Sequence, residues 1–411
     1  MKKQIDEILR QNSIDTVLIT GSADHNPAMR YFTGNVHVSQ GALVLKPGEK
    51  PVLFFNPMER EEAARTGLDL QPFANHPYSE LVKEIGGDRS KLEARRFAHI
   101  LEDCGVTRGK VVFYGQWDAG KAYSAINGIH EYLPEVEFAA DWDDTILYQA
   151  MMTKDPEELA EIKAMGKITT DVVAKTAEYL SGQKSTGNRL VDQAGNPVTI
   201  GMVKQKINLW LAEAGAENPE ATIFSLGRDA GIPHSTGTDS ECLRLGETIV
   251  FDIFPCQIGG GYFYDFTRTW CLGYAPDPVN ELYRQVKQVY DQLISELQPG
   301  ELCNTYQKRT CDLFEKLGHP TVRTHKNSDS GYTHSVGHGV GLRIHEKPWF
   351  GESADETDVL TPGTVFTMEP GLYYPEKGMG VRIEDTYCVN HNGKIERMAE
   401  YPYGLVLPIK S

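Results

Sequence analysis

Acidic side chains interrupt apolar, strand-like runs in the second half of the chain, and this feature limits the fold more than any other. Asp252 lies within residues 248–254 (TIVFDIF) and Asp265 within 262–270 (YFYDFTRTW). Glu369 follows 364–368 just before Pro370-Gly371, and Glu384 splits 381–389. Valine or isoleucine would be favourable at such places, whereas an unpaired buried carboxylate is strongly unfavourable. Any fold of this chain must bring cations, protons or donors to these positions.

The midpoint between Asp252 and Asp265 falls between Ile258 and Gly259. A hairpin with an even-membered turn there sets the two aspartates directly opposite each other on one face. Held so close, they repel unless a cation or proton lies between them. The alternative has one aspartate capping a turn and the other paired with Arg268. A histidine segment, YTHSVGHGVGLRIHEKPWF, carries His334, His338 and His345. An uninterrupted strand would turn His338 and His345 to opposite faces, but Gly337, Gly339 and Gly341 let the backbone bend. The glycine spacing is not a dinucleotide fingerprint, and Trp349 stands where an H-E-x-x-H motif needs its second histidine. Asp252, Asp265, His338, Glu369 and Glu384 together make a hard-oxygen set with one nitrogen. Such a set suits a pair of divalent ions such as manganese, cobalt or iron better than a structural zinc.

The remaining features bound the class. Lysine and arginine total 41 against 57 acidic residues, a formal charge of −16, which repels phosphate backbones and argues against nucleic-acid binding. No stretch approaches the roughly 20 apolar residues that span a bilayer, so no membrane association is expected. The first twenty residues lack the apolar core of a signal peptide. Seven scattered cysteines without a CxxC pair read as reduced thiols, and the expected location is cytoplasmic. Residues 1–150 read as an alternating α/β unit, with a helix over 2–12 and strands at 16–20, 42–45, 52–55 and 111–114. The second and third of these strands are joined as a hairpin at Pro47-Gly48. Dispersed histidines in this part give no site. Asp155-Pro156-Glu157-Glu158 is a capping-box helix start with Gly182 as its stop, opening a second domain over 151–411 and carrying no chemistry of its own. Further helices are expected around 200–215, 278–297 and 304–317.

These segments, together with GRDAGIPHSTGTD and its Pro233-His234, resemble the pita-bread metallopeptidase family, which includes methionine aminopeptidase, aminopeptidase P and prolidase. Tyr31-Phe32-Thr33-Gly34 is similar to the extra domain of the prolidase, aminopeptidase P and creatinase branch. The resemblance implies an α+β fold: a pita-bread catalytic domain, with pseudo-symmetric helices on a curved antiparallel sheet, preceded by a smaller α/β creatinase-like domain. It implies two divalent ions per subunit, manganese first, with cobalt, iron or zinc as alternatives. Asp265 and Glu384 would bridge them, Asp252 would complete one ion, and His338 and Glu369 the other. A metal-bridged hydroxide would attack the scissile carbonyl, with Glu369 moving the proton and His234 and His345 holding the carbonyl oxygen. Arg382 would support the ligands, and His334 would line the leaving-group pocket.

The implied reaction is hydrolysis of the Xaa-Pro bond in dipeptides or at peptide N-termini, by a homodimer. Trp349 stands where some relatives place an arginine for the dipeptide carboxylate. It is therefore expected against the substrate, with Lys347 and Arg343 as the cations that could take the arginine's part. Same-fold alternatives are a creatinase-like or ectoine-hydrolase-like attack on a non-peptide C–N bond, or a catalytically silent binding module. Retention of all five ligand positions argues against the metal-free creatinase mechanism and against the silent module.

Overall fold

The computed structural model describes residues 4–326 and 328–409. They form two compact units, one running to Met151 and including Gly259–Gly261, the other starting at Met152 without those glycines.

The first unit is built on a mixed sheet of β1 (Thr16–Gly21), β2 (Gly41–Leu45), β3 (Val52–Phe55), β4 (Asp69–Pro72), β5 (Gly109–Gly115) and β6 (Val136–Ala139), in the order β4-β3-β2-β1-β5-β6. The predicted β2–β3 hairpin is present, and β1 pairs antiparallel with β2 but parallel with β5. Helices Arg89–Asp103 and Ala119–Tyr132 start at aspartate caps, Asp88 and Asp118, whose carboxylates accept first-turn N–H groups. Their apolar faces, including Phe97, Ile100 and Ile129, close over Leu18, Val44 and Val111 of the sheet.

In the second unit, helix Pro156–Ser181 begins with the expected capping box and ends at Gly182. Lys154, just ahead of it, is not merely a flanking residue, because its ammonium is buried against the equally buried Glu346. Strands Ile223–Leu226, Thr248–Ile253, Phe266–Leu272 and Val406–Leu407 make one sheet. Glu346–Trp349, His338–Gly339, Val365–Met368, Asp385–Val389 and Ile395–Arg397 make another. Helices Asp277–Glu296 and Cys303–Lys316 bury Val286, Leu293 and Phe314 in a core shared with Phe366 and Val381.

Two strand expectations need correction. Asp252 faces Thr267 and not Asp265, because the register is two residues off the symmetric hairpin. The cause is the connection: after Ile253 the chain leaves the sheet, and Cys256–Gln257 pairs with Ala216–Glu217 before Phe266 rejoins it. A shift of two keeps Asp252 and Asp265 on one face. Residues 381–389 are likewise not one strand. Met379–Arg382 pairs with Gly371–Tyr374, Asp385–Val389 joins the five-stranded sheet, and Glu384 sits at the crossover, bridged to Thr267.

Candidate metal centre and active site

The ten residues expected as ligands, catalytic groups or substrate contacts line one cavity of about 690 Å³ in the second unit: His234, Asp252, Asp265, His334, His338, His345, Trp349, Glu369, Arg382 and Glu384. Lys347 and Arg343 are not in its lining. Antiparallel pairing explains the convergence. Asp252 and Thr267 are cross-strand neighbours, Asp265 enters the same face, and the Thr267 bridge delivers Glu384 from the other sheet. His338 follows the Gly337 bend, and its N–H donates to Thr367 Oγ1 at 3.1 Å. Its Nδ1 lies 3.0 Å from the Gly339 carbonyl, so Nε2 turns toward Asp265 Oδ2 at 3.5 Å and Glu369 Oε1 at 3.4 Å. The following loop has to be glycine-rich. A Cβ at Gly339 would lie 2.1 Å from the Lys347 carbonyl, and one at Gly341 would lie 2.2 Å from Glu346 Oε1. That close wrap, fixed by the Lys154–Glu346 pair, brings the His345 ring to 4.3 Å from His338.

Electrostatics define the centre. Asp265, His338 and Glu384 place ligand atoms within 4.8 Å of one another. One oxygen each of Asp252, Asp265 and Glu384 is buried without a hydrogen-bond partner among the described residues. Burial, then repulsion from Asp252 and Glu369, holds the Asp265 carboxyl well above the usual carboxylate range. Glu384 is raised by burial and by Asp265, and Glu369 by burial and by Glu384. Burial lowers His338, while His345, exposed on the cavity wall, is lowered to about 4 by desolvation within the cavity and by the neighbouring His338. His334 is lowered to about 3, by burial and then by Arg382. Oxygen-rich donors with orphaned lone pairs, mutual repulsion and one neutral imidazole fit divalent cations.

Several contributors were not foreseen. Thr267 Oγ1 donates to Glu384 Oε2 at 2.7 Å and accepts from Arg382 Nε at 3.2 Å. The fully buried Tyr373 hydroxyl takes Arg382 Nη1 at 2.7 Å and lies 2.8 Å from His334 Nε2. Arg382 Nη2 meets Asp252 Oδ2 at 2.6 Å. Two residues beyond Asp265, Thr267 shares its face by strand alternation, a signal available in the sequence; Tyr373 had none. Arg268, the alternative aspartate partner, pairs instead with Asp385 at 2.8 Å. Lys347 cannot read a substrate carboxylate, since its ammonium is held by Asp355, Thr357 and Asp358 at 2.9, 2.8 and 3.2 Å.

Residues 160–391 match the model of metallopeptidase family M24, and residues 2–138 match the creatinase/prolidase N-terminal domain. The chain belongs to metallopeptidase family M24. It is 25 % identical over 397 residues to an Xaa-Pro dipeptidase of Pyrococcus furiosus, covering 96 % of this chain and 97 % of that one. A prolidase structure from Pyrococcus horikoshii superposes with a TM-score of 0.72 at 23 % identity, covering 98 % and 99 % of the two chains. An X-Pro aminopeptidase structure from Thermotoga maritima gives 0.72 at 20 %, covering 97 % and 99 %. These likenesses show the α+β pita-bread fold with its creatinase-like N-terminal domain. As a family M24 metallopeptidase, the chain works with divalent metal ions. No helix among the described residues is long and apolar enough to cross a membrane.

Proposed function

We propose that this family M24 peptidase hydrolyses the bond before proline, in dipeptides and at the N-termini of longer peptides. The observation that carries the reading is the trio of partnerless buried oxygens on Asp252, Asp265 and Glu384, facing one cavity with His338 and Glu369. Similarity to an Xaa-Pro dipeptidase over nearly the whole chain supports the substrate class. In this reading residues 1–150 and 151–411 are the two domains, and the enzyme is a cytoplasmic homodimer.

Asp265 and Glu384 would be shared by two divalent ions, manganese first, with Asp252 holding one and His338 and Glu369 the other. When bound, such ions polarise a carbonyl and make water acidic enough to attack near neutral pH. Glu369 takes the proton of the attacking water and delivers it to the leaving proline nitrogen. His345 and His234 donate to the carbonyl oxygen as negative charge develops there. With its pKa lowered to about 4, His345 is a neutral imidazole at neutral pH and carries one N–H for that bond. Arg382 sets Asp252 and Tyr373, and Tyr373 in turn sets His334. Trp349, half-buried and opposite His338 in the sheet, offers an indole face to the substrate. With Lys347 sequestered, nothing in the Glu346–Trp349 strand selects a free carboxylate, which favours action on tripeptides as well as dipeptides.

A panel of Xaa-Pro dipeptides, Xaa-Pro-Yaa tripeptides, creatine and ectoine, with and without added manganese, tests the reading. Metal-dependent cleavage of both peptide classes is expected. Turnover of creatine or ectoine alone overturns the substrate class, and inert tripeptides at millimolar concentration overturn the assignment of Trp349. His345→Ala should keep its metal and lose about 10²–10³-fold in kcat.

A further inference from the structure

The first unit holds another cavity, of about 1180 Å³, that the peptidase chemistry does not use. It lies at the C-terminal ends of the parallel neighbours β1 and β5, lined there by Thr20, Gly21, Gln116 and Trp117. The chain leaves β1 toward β2 on one side and leaves β5 toward β6 on the other. Open α/β sheets bind ligands at such a divergence, because the connections part and leave a crevice above the strand ends.

Three features give this crevice its chemistry. Arg96 is only 8 % exposed, its guanidinium lies 4.0 Å from the Phe73 ring centre and 4.9 Å from that of Tyr78, and its Nε has no hydrogen-bond partner among the described residues. No carboxylate among the described residues pairs with it directly; Glu93, one turn earlier on the same helix, accepts from the Tyr78 hydroxyl, which in turn accepts from Arg96. A guanidinium buried without an acid is a site in need of an anion. Helix Ala119–Tyr132 begins at the cavity, which is lined by Gly120 and Lys121. The Asp118 cap is engaged with the Lys121 N–H at 3.1 Å, and a Cβ at Gly120 would meet only that cap, at 3.4 Å, so the first turn stays open to a ligand. Finally, Trp117 packs 5.0 Å from Phe97 and gives the cavity a flat apolar wall.

We propose that the crevice binds a planar organic anion, an aromatic ring bearing a carboxylate or a phosphate. Its charged group is taken by Arg96 and the first turn of the Ala119–Tyr132 helix, and its ring lies along Trp117. Neither half suffices alone: inorganic phosphate lacks the ring, and a neutral aromatic leaves Arg96 without its counter-charge.

Calorimetric titration of the full chain with phenyl phosphate, benzoate and adenosine 5′-monophosphate tests this, with inorganic phosphate as the ringless control. At least one aromatic anion should bind with a Kd below about 1 mM and at least about tenfold more tightly than phosphate. Which of the three binds distinguishes a carboxylate from a phosphate ligand. Arg96→Gln and the surface change Lys121→Glu should each weaken binding, the former by about tenfold or more, while Xaa-Pro hydrolysis stays unchanged. Binding should survive Asp265→Ala, which separates this crevice from the peptidase centre. The proposal is overturned if none of the three aromatic anions binds below about 1 mM and about tenfold more tightly than phosphate, or if either Arg96→Gln or Lys121→Glu leaves binding unweakened, or if binding disappears in Asp265→Ala.

Discussion

Glu384 and Asp385 are adjacent, nearly inaccessible carboxylates, 1 % and 0 % exposed, yet they belong to buried clusters built on opposite rules. Around Asp385 every valence is met. Arg268 Nη2 donates at 2.8 Å, the Tyr403 hydroxyl at 2.7 Å, the Tyr290 hydroxyl also donates, and Arg397 Nε stands at 3.7 Å. Arg268 places its other N–H groups on carbonyls, at 3.0 Å to Thr267, 2.8 Å to Glu384 and 3.0 Å to Pro402. Among the described residues the Glu384 carboxylate has one donor, Thr267, and its second oxygen has none, as is true of one oxygen on Asp252 and one on Asp265. Burial alone therefore does not separate a structural acid from a ligand. Unmet lone pairs held among like charges do, because only a cation relieves both deficits at once.

The sharpest way to break this comparison is to delete one acid from each cluster. Asp265→Ala should lose bound metal, as measured by inductively coupled plasma analysis, and kcat/KM by about 10³-fold or more, since it removes several kcal/mol of electrostatic stabilisation. Its folding should be little harmed, because a self-repelling carboxylate is gone. Asp385→Ala should do the reverse, destabilising the fold by about 3–5 kcal/mol through the stranded Arg268 charge while the folded fraction keeps its metal. Two equivalents of metal in Asp265→Ala would end the assignment of that residue as a shared ligand.

Chelation tests the same contrast through pH. Without metal, Asp265, Glu369 and Glu384 keep protons in the folded state that the unfolded chain releases near pH 4. The folded state then binds more protons, so their contribution is full below about pH 4 and is lost as pH rises through the raised values. His334 and His345, lowered to about 3 and about 4, act oppositely. Their contribution is full above about pH 6.5 and is lost as pH falls toward those values. Above about pH 6.5 only the carboxylates remain, so urea midpoints of chelated protein should fall with pH while those of metal-loaded protein stay flatter. A constant gap between the two curves would mean that the metal-free centre holds no protons.

The difference between the clusters also explains what the sequence could and could not announce. Asp252, Asp265, Glu369 and Glu384 are conspicuous because each replaces a residue that an apolar run calls for. Asp385 stands in the same run as Glu384 and looks no different from it. Its partners Arg268, Tyr290 and Tyr403 come from distant positions, and only the folded topology pairs them. The Asp252–Asp265 register was misjudged for a related reason. Local symmetry predicts a simple hairpin, whereas Cys256–Gln257 is drawn away by long-range pairing with Ala216–Glu217. The Asp155–Glu158 capping box, the β2–β3 hairpin and the helix positions depend on neighbours a few residues apart and were legible. Lys154–Glu346 and Tyr373–Arg382 were not, since neither partner predicts the other.

A finer test removes a supporting hydroxyl from the open cluster. Thr267→Val keeps shape but takes away the only side-chain donor to the Glu384 carboxylate among the described residues and one acceptor for Arg382. Loss of such a supporting bond typically weakens metal binding about 10–100-fold. The change should appear in competitive chelator titrations and, by linkage, as a lower unfolding temperature of the loaded protein, with little effect on thermal unfolding of the chelated protein. Unaltered metal affinity would show that Glu384 is positioned by the sheet crossover alone.

The smallest expected effect comes from the same operation on the closed cluster. Tyr403→Phe removes one of the hydroxyls on Asp385 Oδ2, which keeps the Tyr290 hydroxyl on that oxygen and the Arg268 bond on the other. Because the carboxylate stays partnered, the loss should be about 1 kcal/mol in urea denaturation, near the net value of one hydrogen bond. Metal affinity and kcat should not move. Arg268 links the two clusters, since it holds both the Asp385 carboxylate and the Glu384 backbone carbonyl. If Tyr403→Phe lowers metal affinity, Arg268 is transmitting position from Asp385 to Glu384, and the two centres are one coupled network. If stability alone changes, the boundary between them lies at the peptide bond joining Glu384 to Asp385.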